Sequence, residues 1–350
     1  MSAIPCFMIR GGTSRGAYFL RDDLPDDPVA RDSVLVQAMG GPDPLQIDGI
    51  GGGHPLTSKV AVISVASDVD VDIDYLFLQI DPVGQTVSDV QNCGNILAGV
   101  GLYALAEGLV ETKDPVSIVR VRMQNTGALC DLEIPSPGGI VQVEGDTKID
   151  GVPGTGAAIV CNYLDIAGSA CGALLPTGNA VDEIDGIRVT CIDNGMPVVT
   201  ILAEDLGITG YERPEDLDQH ETLKARLETI RLQAGPTMNL GDVKEKSVPK
   251  MCLVSPAQQS GLVMTRTFIP HVCHKTIGVL GAVSTATACL LPDSCVASVA
   301  NSSFGNPRLV TVEHADGSMQ VQLDINQAGD VVRAGIVRTG RILFKGEIYI

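Results

Sequence analysis

The chain has 350 residues, of which 45% are hydrophobic and 19% are charged, and its formal net charge is −18 at pH 7. This length and this apolar fraction are sufficient for two globular domains with sizeable cores. The strongly acidic balance argues against nucleic acid and anionic membranes as partners. An anionic substrate would be repelled by the overall charge, so local groups must attract it.

The ten cysteines lie mostly inside apolar stretches, which is typical of reduced core thiols rather than of a disulfide framework. The first ten residues lack the basic and long apolar regions of a signal peptide. No stretch approaches the roughly 18 charge-free apolar residues that a membrane-spanning helix needs. We therefore expect a soluble, cytoplasmic protein.

The first motif in chain order is Arg10–Gly16, with the sequence Arg-Gly-Gly-Thr-Ser-Arg-Gly. It offers two guanidinium groups, two hydroxyls and exposed backbone N–H groups, a combination that suits the binding of a carboxylate. A tight turn with solvated arginines explains the same residues equally well.

A glycine-rich loop, Gly49–Gly53, comes next and leads into Lys59 at the start of an apolar strand. The loop is not a phosphate-binding loop, because no helix pattern follows it and no Gly-Lys-Ser/Thr occurs. A lysine inside a strand loses hydration, which favours the neutral amine that can act as a base. The alternative is a lysine on an edge strand whose side chain points into water.

The segment Gln91–Asn95 places a thiol, Cys93, in a polar pentapeptide that runs directly into a small, apolar, helix-like stretch. The N–H groups and the positive dipole end of a helix start favour anions, including a thiolate. Gly94 lets a ligand approach the backbone closely. This pattern predicts an ionisable sulfur beside an oxyanion cradle, and the alternative is a core thiol at a helix start.

The chain contains an internal repeat. Ser58–Ser64 is echoed by Pro249–Ser255, Cys93–Gly101 by Cys273–Gly281, and the Gly12–Leu24 stretch by Val199–Leu206, in the same order. We interpret this as a duplicated unit whose halves join near Leu175–Asn179.

Each half is rich in strand patterns and has one helix that is apolar all round, which is typical of a buried helix. Strands are predicted at Lys59–Val65, Val116–Val121, Ile140–Val143 and Leu309–Val312. Buried helices are predicted at Ile96–Leu109 and Ile277–Leu290, and an amphipathic surface helix at Asp218–Gln233. We therefore expect an α+β fold in which a sheet wraps around a central helix, made twice.

The run His271-Val272-Cys273-His274 raises the question of a metal site. No fourth ligand stands at a usual zinc spacing, so we predict no metal, and a position at the start of the second buried helix explains these residues equally well. With so few histidines and no Gly-x-Ser-x-Gly, no Ser-His-Asp triad can be assigned.

Several of these motifs together resemble the PrpF family, which has a diaminopimelate-epimerase-like fold. The resemblance rests on residues 8–16, 46–49, 56–61, 91–101, 171–179, 192–197, 238–242 and 268–271, and the chain also carries an arginine-rich C-terminal run at 338–341. Within the family the chain looks most like 4-oxalomesaconate tautomerases and isomerases.

The resemblance implies two pseudo-symmetric domains with the active site in the cleft between them, and it implies no cofactor and no metal. We place the domains at residues 1–178 and 179–350, with the last strand able to return to the first domain. The family's catalytic lysine and cysteine fall on Lys59 and Cys93. The expected substrate-binding residues are Thr13, Ser14, Arg15, Ser58, Asn92, Gly94, Asn95, His271 and His274.

The implied activity is that of a cofactor-independent isomerase or tautomerase, which moves a double bond in 4-oxalomesaconate during gallate or protocatechuate breakdown. Lys59 would shuttle the proton through a dienolate, and Cys93 would be a second acid/base or would orient the substrate. The alternative within the family is an aconitate or methylaconitate isomerase. An epimerase with Cys273 as its second thiol and an inactive carboxylate-binding protein are the weaker alternatives. The partner is a small tricarboxylate, and the sequence leaves the oligomeric state open, with a homodimer as one form.

Overall fold

A computed structural model of the chain describes residues 3–83, 86–89, 92–164, 166–301, 308–326 and 331–350. It contains two compact units, Met1–Leu164 with Val337–Ile350, and Asp165–Ile336. The division falls earlier than residue 178, where the sequence places it. Hydrogen bonds attach residues 168–171 to the second unit. Gly168 N–H donates to the Asp193 carbonyl at 2.7 Å, and Cys171 N–H donates to the Asp193 carboxylate at 2.8 Å.

The helices are α1 (Pro28–Met39), α2 (Gly94–Ala106), α3 (Pro214–Asp218), α4 (Glu221–Thr237) and α5 (Val279–Leu290). The first ten strands are β1 (Ala3–Gly11), β2 (Ser14–Leu20), β3 (Lys59–Val65), β4 (Ile73–Ile80), β5 (Val87–Ser88), β6 (Val116–Met123), β7 (Leu129–Pro135), β8 (Thr147–Lys148), β9 (Thr155–Gly156) and β10 (Ile159–Tyr163). The others are β11 (Asp182–Ile184), β12 (Ile187–Asp193), β13 (Pro197–Leu202), β14 (Lys250–Ser255), β15 (Val263–Phe268), β16 (Cys273–His274), β17 (Arg308–His314), β18 (Gly317–Ile325), β19 (Val331–Arg338) and β20 (Gly340–Tyr349).

The first unit is a sheet around helix α2. Its strands pair in the order β20, β1, β2, β3, β4, β6, β7 and β10. From β1 onward the pairings are antiparallel, parallel, antiparallel, parallel, antiparallel and antiparallel. Helix α2 packs against β1, β2, β3, β4, β7, β10 and β20, and every residue from Ile96 to Leu105 is buried. This is why the helix needs apolar or small residues on all sides.

The second unit repeats the first. Its strands pair in the order β12, β13, β14, β15, β17, β18 and β19, with the same succession of antiparallel and parallel pairings. Helix α5 packs against β12, β13, β17 and β18. Lys59 and Lys250 begin β3 and β14, the corresponding strands of the two units. The repeat read from the sequence is thus visible in the topology.

Two further sequence-based predictions differ from the structure. Cys273 was matched to Cys93, but it lies in the short strand β16 and helix α5 begins only at Val279, so this echo is out of register. Ile140–Val143 was predicted as a strand, yet it forms none and Ile140 is 74% exposed. The chain just before it turns through Gly138 and Gly139, both with positive φ, and such consecutive left-handed residues break an extended path.

None of the helices in the described residues has the length and the hydrophobicity that a membrane-spanning segment requires.

Candidate functional site

Lys59 is buried at the centre of the first sheet. It begins β3, which is flanked by β2 and β4, and its residue surface is only 7% exposed. The ammonium nitrogen Nζ donates a hydrogen bond of 2.6 Å to Gln79 Oε1 and lies 5.0 Å from the centre of the Phe77 ring. The alternative of an edge-strand lysine pointing into water is therefore wrong.

The loop before Lys59 is folded around the side-chain amide of Gln46. Ser58 is fully buried, and its hydroxyl donates to Gln46 Oε1 at 2.7 Å. Gly53 N–H donates to the same oxygen at 2.8 Å. A strand follows this glycine-rich loop, in agreement with the absence of a phosphate-loop fingerprint. Ser58, expected to bind substrate, thus lies beneath the loop with its hydroxyl engaged by the protein.

Helix α2 begins where the sequence predicts a helix start. Cys93 is its N-cap residue, is half-buried and makes no capping hydrogen bond with its side chain. Gly94 is the first helical residue, and no acidic residue stands in the first turn. The positive end of the helix dipole therefore has no carboxylate from the first turn beside it, and a helix start of this kind favours a bound anion.

Strand β4 connects Cys93 with Lys59. Tyr75, Phe77 and Gln79 alternate along the strand and so share one face. The Tyr75 hydroxyl donates to the Cys93 carbonyl at 3.5 Å, while Phe77 and Gln79 contact the Lys59 ammonium. Tyr75 and Phe77 are two residues apart, about 7 Å along a strand. The predicted base and the predicted thiol residue are thus both held by neighbouring positions on one strand.

Burial raises the pKa of Tyr75 well above its ordinary value, and the nearby Cys93 sulfur raises it further. The Tyr18 phenol is affected in the same way, and its hydroxyl donates to the Ile96 carbonyl at 2.6 Å. Both tyrosines therefore stay protonated and act as hydrogen-bond donors to the first turn of helix α2.

Asn95 joins the start of helix α2 to the turn between β1 and β2. Its Nδ2 donates to Thr13 Oγ1 at 3.0 Å and to Ser14 Oγ at 3.4 Å. Its Oδ1 accepts from Arg338 Nε at 3.1 Å. Three of the residues expected to bind substrate are thus brought together, and a fourth group, Arg338, joins them.

The close approach of the turn to the helix depends on two glycines. A Cβ at Gly11 would lie 1.9 Å from the Asn95 carbonyl oxygen, and one at Gly12 would lie 2.2 Å from Asn95 Oδ1. Gly12 also has a positive φ of 48°. The Gly-Gly pair of the Arg10–Gly16 motif is therefore explained by contact with Asn95.

Arg338 is the charged residue that the sequence analysis did not assign to the site. It is 6% exposed, and its Nη1 donates to the Val337 carbonyl at 3.0 Å. Burial lowers the pKa of Arg338, while Cys161, Tyr163 and Cys93 lie close enough to raise it. A guanidinium remains charged under such conditions, so a buried positive charge stands near Cys93. The arginine-rich run at 338–341 was the signal that could have identified it.

Asn92 and Arg15, also expected to bind substrate, each have one buried polar side-chain atom that bonds no described residue. Asn92 Nδ2 donates to Thr126 Oγ1 at 2.7 Å, and its Oδ1 is buried with no hydrogen-bond partner among the described residues. Arg15 N–H donates to the Leu56 carbonyl at 3.0 Å, and its Nε is likewise buried without a described partner. Gln91, the first residue of the predicted cradle, lies outside the described residues.

His271 and His274, the second-unit residues expected to bind substrate, contact other residues of the same unit. His271 is 57% exposed at its side chain, with Nδ1 3.6 Å from Glu228 Oε2, and the exposed His274 ring bonds the Thr276 hydroxyl at 2.9 Å. Burial raises the pKa of Cys273 to about 12, so this thiol is protonated near neutral pH. In the part of the chain that the structure describes, no three His, Cys, Asp or Glu side chains are grouped so that they could hold a metal ion.

The whole chain, residues 1–350, matches the family model described as PrpF protein. The (4E)-oxalomesaconate Delta-isomerase of Novosphingobium sp. (strain KA1) is 53% identical over 350 residues, covering 100% of this chain and 98% of that protein. The 4-oxalomesaconate tautomerase of Pseudomonas putida is 53% identical over 347 residues, covering 99% of this chain and 96% of that protein.

Among solved structures, a methylitaconate-delta-isomerase matches with a TM-score of 0.91 and 32% identity, covering 100% of this chain and 96% of that one. A hydroxyproline epimerase from Agrobacterium vitis matches with a TM-score of 0.51 and 14% identity, covering 99% of this chain and 92% of that one, which is evidence for the fold alone. The expected epimerase-like α+β fold is confirmed. From its full-length match and its 53% identical relatives, this chain belongs to the PrpF family.

Proposed function

We propose that this protein is a cofactor-independent isomerase that moves a double bond in 4-oxalomesaconate, by proton abstraction and reprotonation through a dienolate. The observation that carries the proposal is the buried lysine: Lys59 is 7% exposed and its nitrogen is held by Gln79 and Phe77. The two relatives at 53% identity are named for this substrate, which supports the choice of acid. The reaction would belong to gallate or protocatechuate breakdown.

Lys59 is proposed to be the base that removes a proton next to the substrate carbonyl and returns one to another carbon. A general base at the right position contributes roughly 10² to 10⁴ to the rate. Burial removes water from the amine, and within the described part of the chain its side-chain contacts are the Gln79 amide and the Phe77 ring, neither of which is charged.

The negative charge of the dienolate is proposed to develop at the start of helix α2. Helix-start N–H groups aimed at such a charge contribute on the order of 3 kcal/mol per donor. The turn at Thr13 and Ser14, fixed by Asn95, and the buried Arg338 add donors and positive charge at this end of the helix. Cys93, the N-cap residue, is proposed to be a second acid/base or to orient the substrate.

The test is an NMR assay of the purified protein with 4-oxalomesaconate in D₂O. We expect conversion, with deuterium at the newly protonated carbon of the product, because the proton passes through a group that exchanges with solvent. Conversion without solvent deuterium over many slow turnovers would contradict the dienolate route. No conversion at all would contradict the substrate assignment.

The second candidate is isomerisation of a smaller acid of the methylaconitate or methylitaconate type. It is favoured by the structural match to a methylitaconate-delta-isomerase at a TM-score of 0.91, although the identity is only 32%. Parallel assays with trans-aconitate and methylitaconate distinguish the two, since the same proton transfer applies and only the preferred acid differs.

A further inference from the structure

Gln79 is the direct partner of Lys59 across the β3–β4 ladder. The two residues are paired in register, so their side chains lie on the same face, and Lys59 Nζ donates to Gln79 Oε1 at 2.6 Å. A contact this short fixes where the amine stands. We propose that Gln79 is a positioning residue that sets the place and the direction of the Lys59 amine, an inference that rests on the proposed role of Lys59 as base.

The orientation of the Gln79 amide is determined by its other end. Its Nε2 faces three backbone carbonyl oxygens, those of Ser58 at 3.0 Å, Pro55 at 3.1 Å and Ile80 at 3.3 Å. An amide oxygen placed there would meet three acceptors and no donor. Oε1 must therefore point to Lys59, and the amide has only one satisfactory orientation.

This arrangement has a chemical consequence for the lysine. An amide oxygen accepts one N–H from an ammonium or from a neutral amine, so it directs the nitrogen without requiring it to be charged. A carboxylate in the same place would pair with the ammonium and keep the proton on it. Glutamine thus holds the base in place and leaves it able to accept a proton.

The Phe77 ring limits the remaining freedom of the amine. Its centre lies 5.0 Å from Nζ, and Phe77 is itself fully buried. The Phe77 backbone is fixed by two hydrogen bonds to one side chain. Its N–H donates to Asn125 Oδ1 at 2.9 Å, and Asn125 Nδ2 donates to the Phe77 carbonyl at 2.9 Å. Lys59 is therefore bounded by a fixed ring on one side and a fixed acceptor on another.

The experiment measures the protonation of Lys59 without relying on turnover. The full-length protein is labelled with acetic anhydride at a series of pH values, and acetylation of Lys59 is followed by peptide mass spectrometry. Three variants are compared with the wild type: Gln79→Glu, Gln79→Met and Gln79→Asn. Gln142→Glu serves as the control for added charge, because Gln142 is exposed and its Nε2 donates to the Glu144 carbonyl.

We expect Gln79→Glu to move the labelling midpoint of Lys59 upward by about one pH unit or more, because an opposite charge in contact favours the ammonium. In the pH profile of kcat/KM, the midpoint of the acid limb should move upward by a similar amount. Gln79→Met and Gln79→Asn should lower kcat by on the order of 10-fold to 100-fold, as expected for a misplaced base, with no upward shift of the midpoint. Gln142→Glu should match the wild type in both measurements.

A purely structural role for Gln79 gives a different pattern. Glu and Met both lose the Nε2 contacts to the three carbonyls, so a structural role predicts equal loss of stability and activity in the two variants. An unchanged midpoint in folded Gln79→Glu, or wild-type kcat in Gln79→Met, would overturn the proposal. Circular dichroism and thermal melting establish which variants are folded. If wild-type protein fails to convert 4-oxalomesaconate, the proposed function fails while the labelling result still stands.

Discussion

The Tyr75 hydroxyl donates a hydrogen bond to the carbonyl oxygen of Cys93, the residue that caps helix α2. Tyr75 belongs to the same face of β4 as Phe77 and Gln79, which contact Lys59. One strand therefore determines the position of both the helix start and the buried amine. A shift of β4 along its ladder would move both groups together, so the spacing between them is a property of the sheet.

Replacing Lys59 by methionine should abolish turnover and leave the fold intact. Methionine keeps the length of the side chain and its contact with Phe77, and it removes only the amine. We expect kcat to fall by roughly 10² to 10⁴, measured with 4-oxalomesaconate under saturating conditions. Lys113→Met, at an exposed lysine of the same unit, is the matched control and should keep wild-type kcat. A folded Lys59→Met enzyme with normal turnover would show that another group is the base.

Cys93 should be the first thiol to be alkylated in the native protein. All ten cysteines fall within the described residues, and Cys93 is half-buried where the other nine are buried. Burial raises the pKa of Cys161 and of Cys273 to about 12, which keeps these thiols protonated and unreactive at pH 8. Iodoacetamide at pH 8 should therefore modify one thiol per chain, and mass spectrometry should locate it.

The matched control for this labelling is Cys93→Ser, which should take up no label on the same timescale. Labelling of several cysteines at equal rates, or of a different residue first, would contradict the placement of Cys93 at an accessible helix start.

Removal of metal ions should leave the activity unchanged. The proposed base is a lysine, and the proposed charge stabilisation comes from helix N–H groups and a guanidinium, all of which the chain itself supplies. Exhaustive dialysis against EDTA should therefore preserve kcat and KM within experimental error. Loss of activity that is restored by one particular divalent metal would assign a different mechanism.

The folded state should lose stability above about pH 9. Burial raises the pKa of Cys161 and of Cys191 from the ordinary value of 9.0 to about 12. Their stabilising effect is complete below pH 9, and it is lost as the pH rises from 9 towards 12, because the unfolded thiols release protons that the folded ones keep. Each contributes on the order of 1 kcal/mol per pH unit in this window. Thermal melting at pH 8, 9, 10 and 11 should show a falling midpoint, and a constant midpoint would contradict the burial of these thiols.

Local patterns were sufficient to predict the start of α2 and the repeated unit. The polar pentapeptide before Ile96 marked the start of α2. The small apolar residues on every side of the following helix indicated that it is buried. Lys59 was correctly placed on a strand, but whether that strand lay at an edge or at the centre depends on its neighbours β2 and β4. Strand β2 ends at Leu20, far from Lys59 in the sequence, so a local pattern could not show that β3 has a neighbour on both sides.

The residues that hold the site were not predictable for the same reason. Gln79 is 20 residues from Lys59, and Arg338 is 243 residues from Asn95. Gln79 has no motif of its own around it, and the arginine-rich run at 338–341 does not show by itself which residue Arg338 contacts. The misregistered match of Cys273 with Cys93 had a different cause. Both segments end in a glycine eight residues after the cysteine, but β16 and four further residues come before α5.

Arg338 and Asn95 should be energetically coupled. Arg338 Nε donates to Asn95 Oδ1 at 3.1 Å, which orients the amide so that Nδ2 meets Thr13 and Ser14. Removing either partner leaves the buried Arg338 or the half-buried Asn95 without this bond, so each single variant should lose most of what the double variant loses. A double-mutant cycle of Asn95→Ala and Arg338→Met, read in kcat/KM, should give a coupling energy of about 0.5 to 3 kcal/mol.

Two controls separate this coupling from a general loss of structure. Arg338→Met combined with Lys113→Met should be additive within about 0.5 kcal/mol, because exposed Lys113 is not among the contacts of Arg338. Arg338→Lys should not restore activity, since an ammonium keeps the charge but lacks the planar guanidinium geometry. Additive effects of Asn95→Ala and Arg338→Met would mean that the turn at Thr13 and Ser14 is fixed by other contacts and that Arg338 acts through its charge alone.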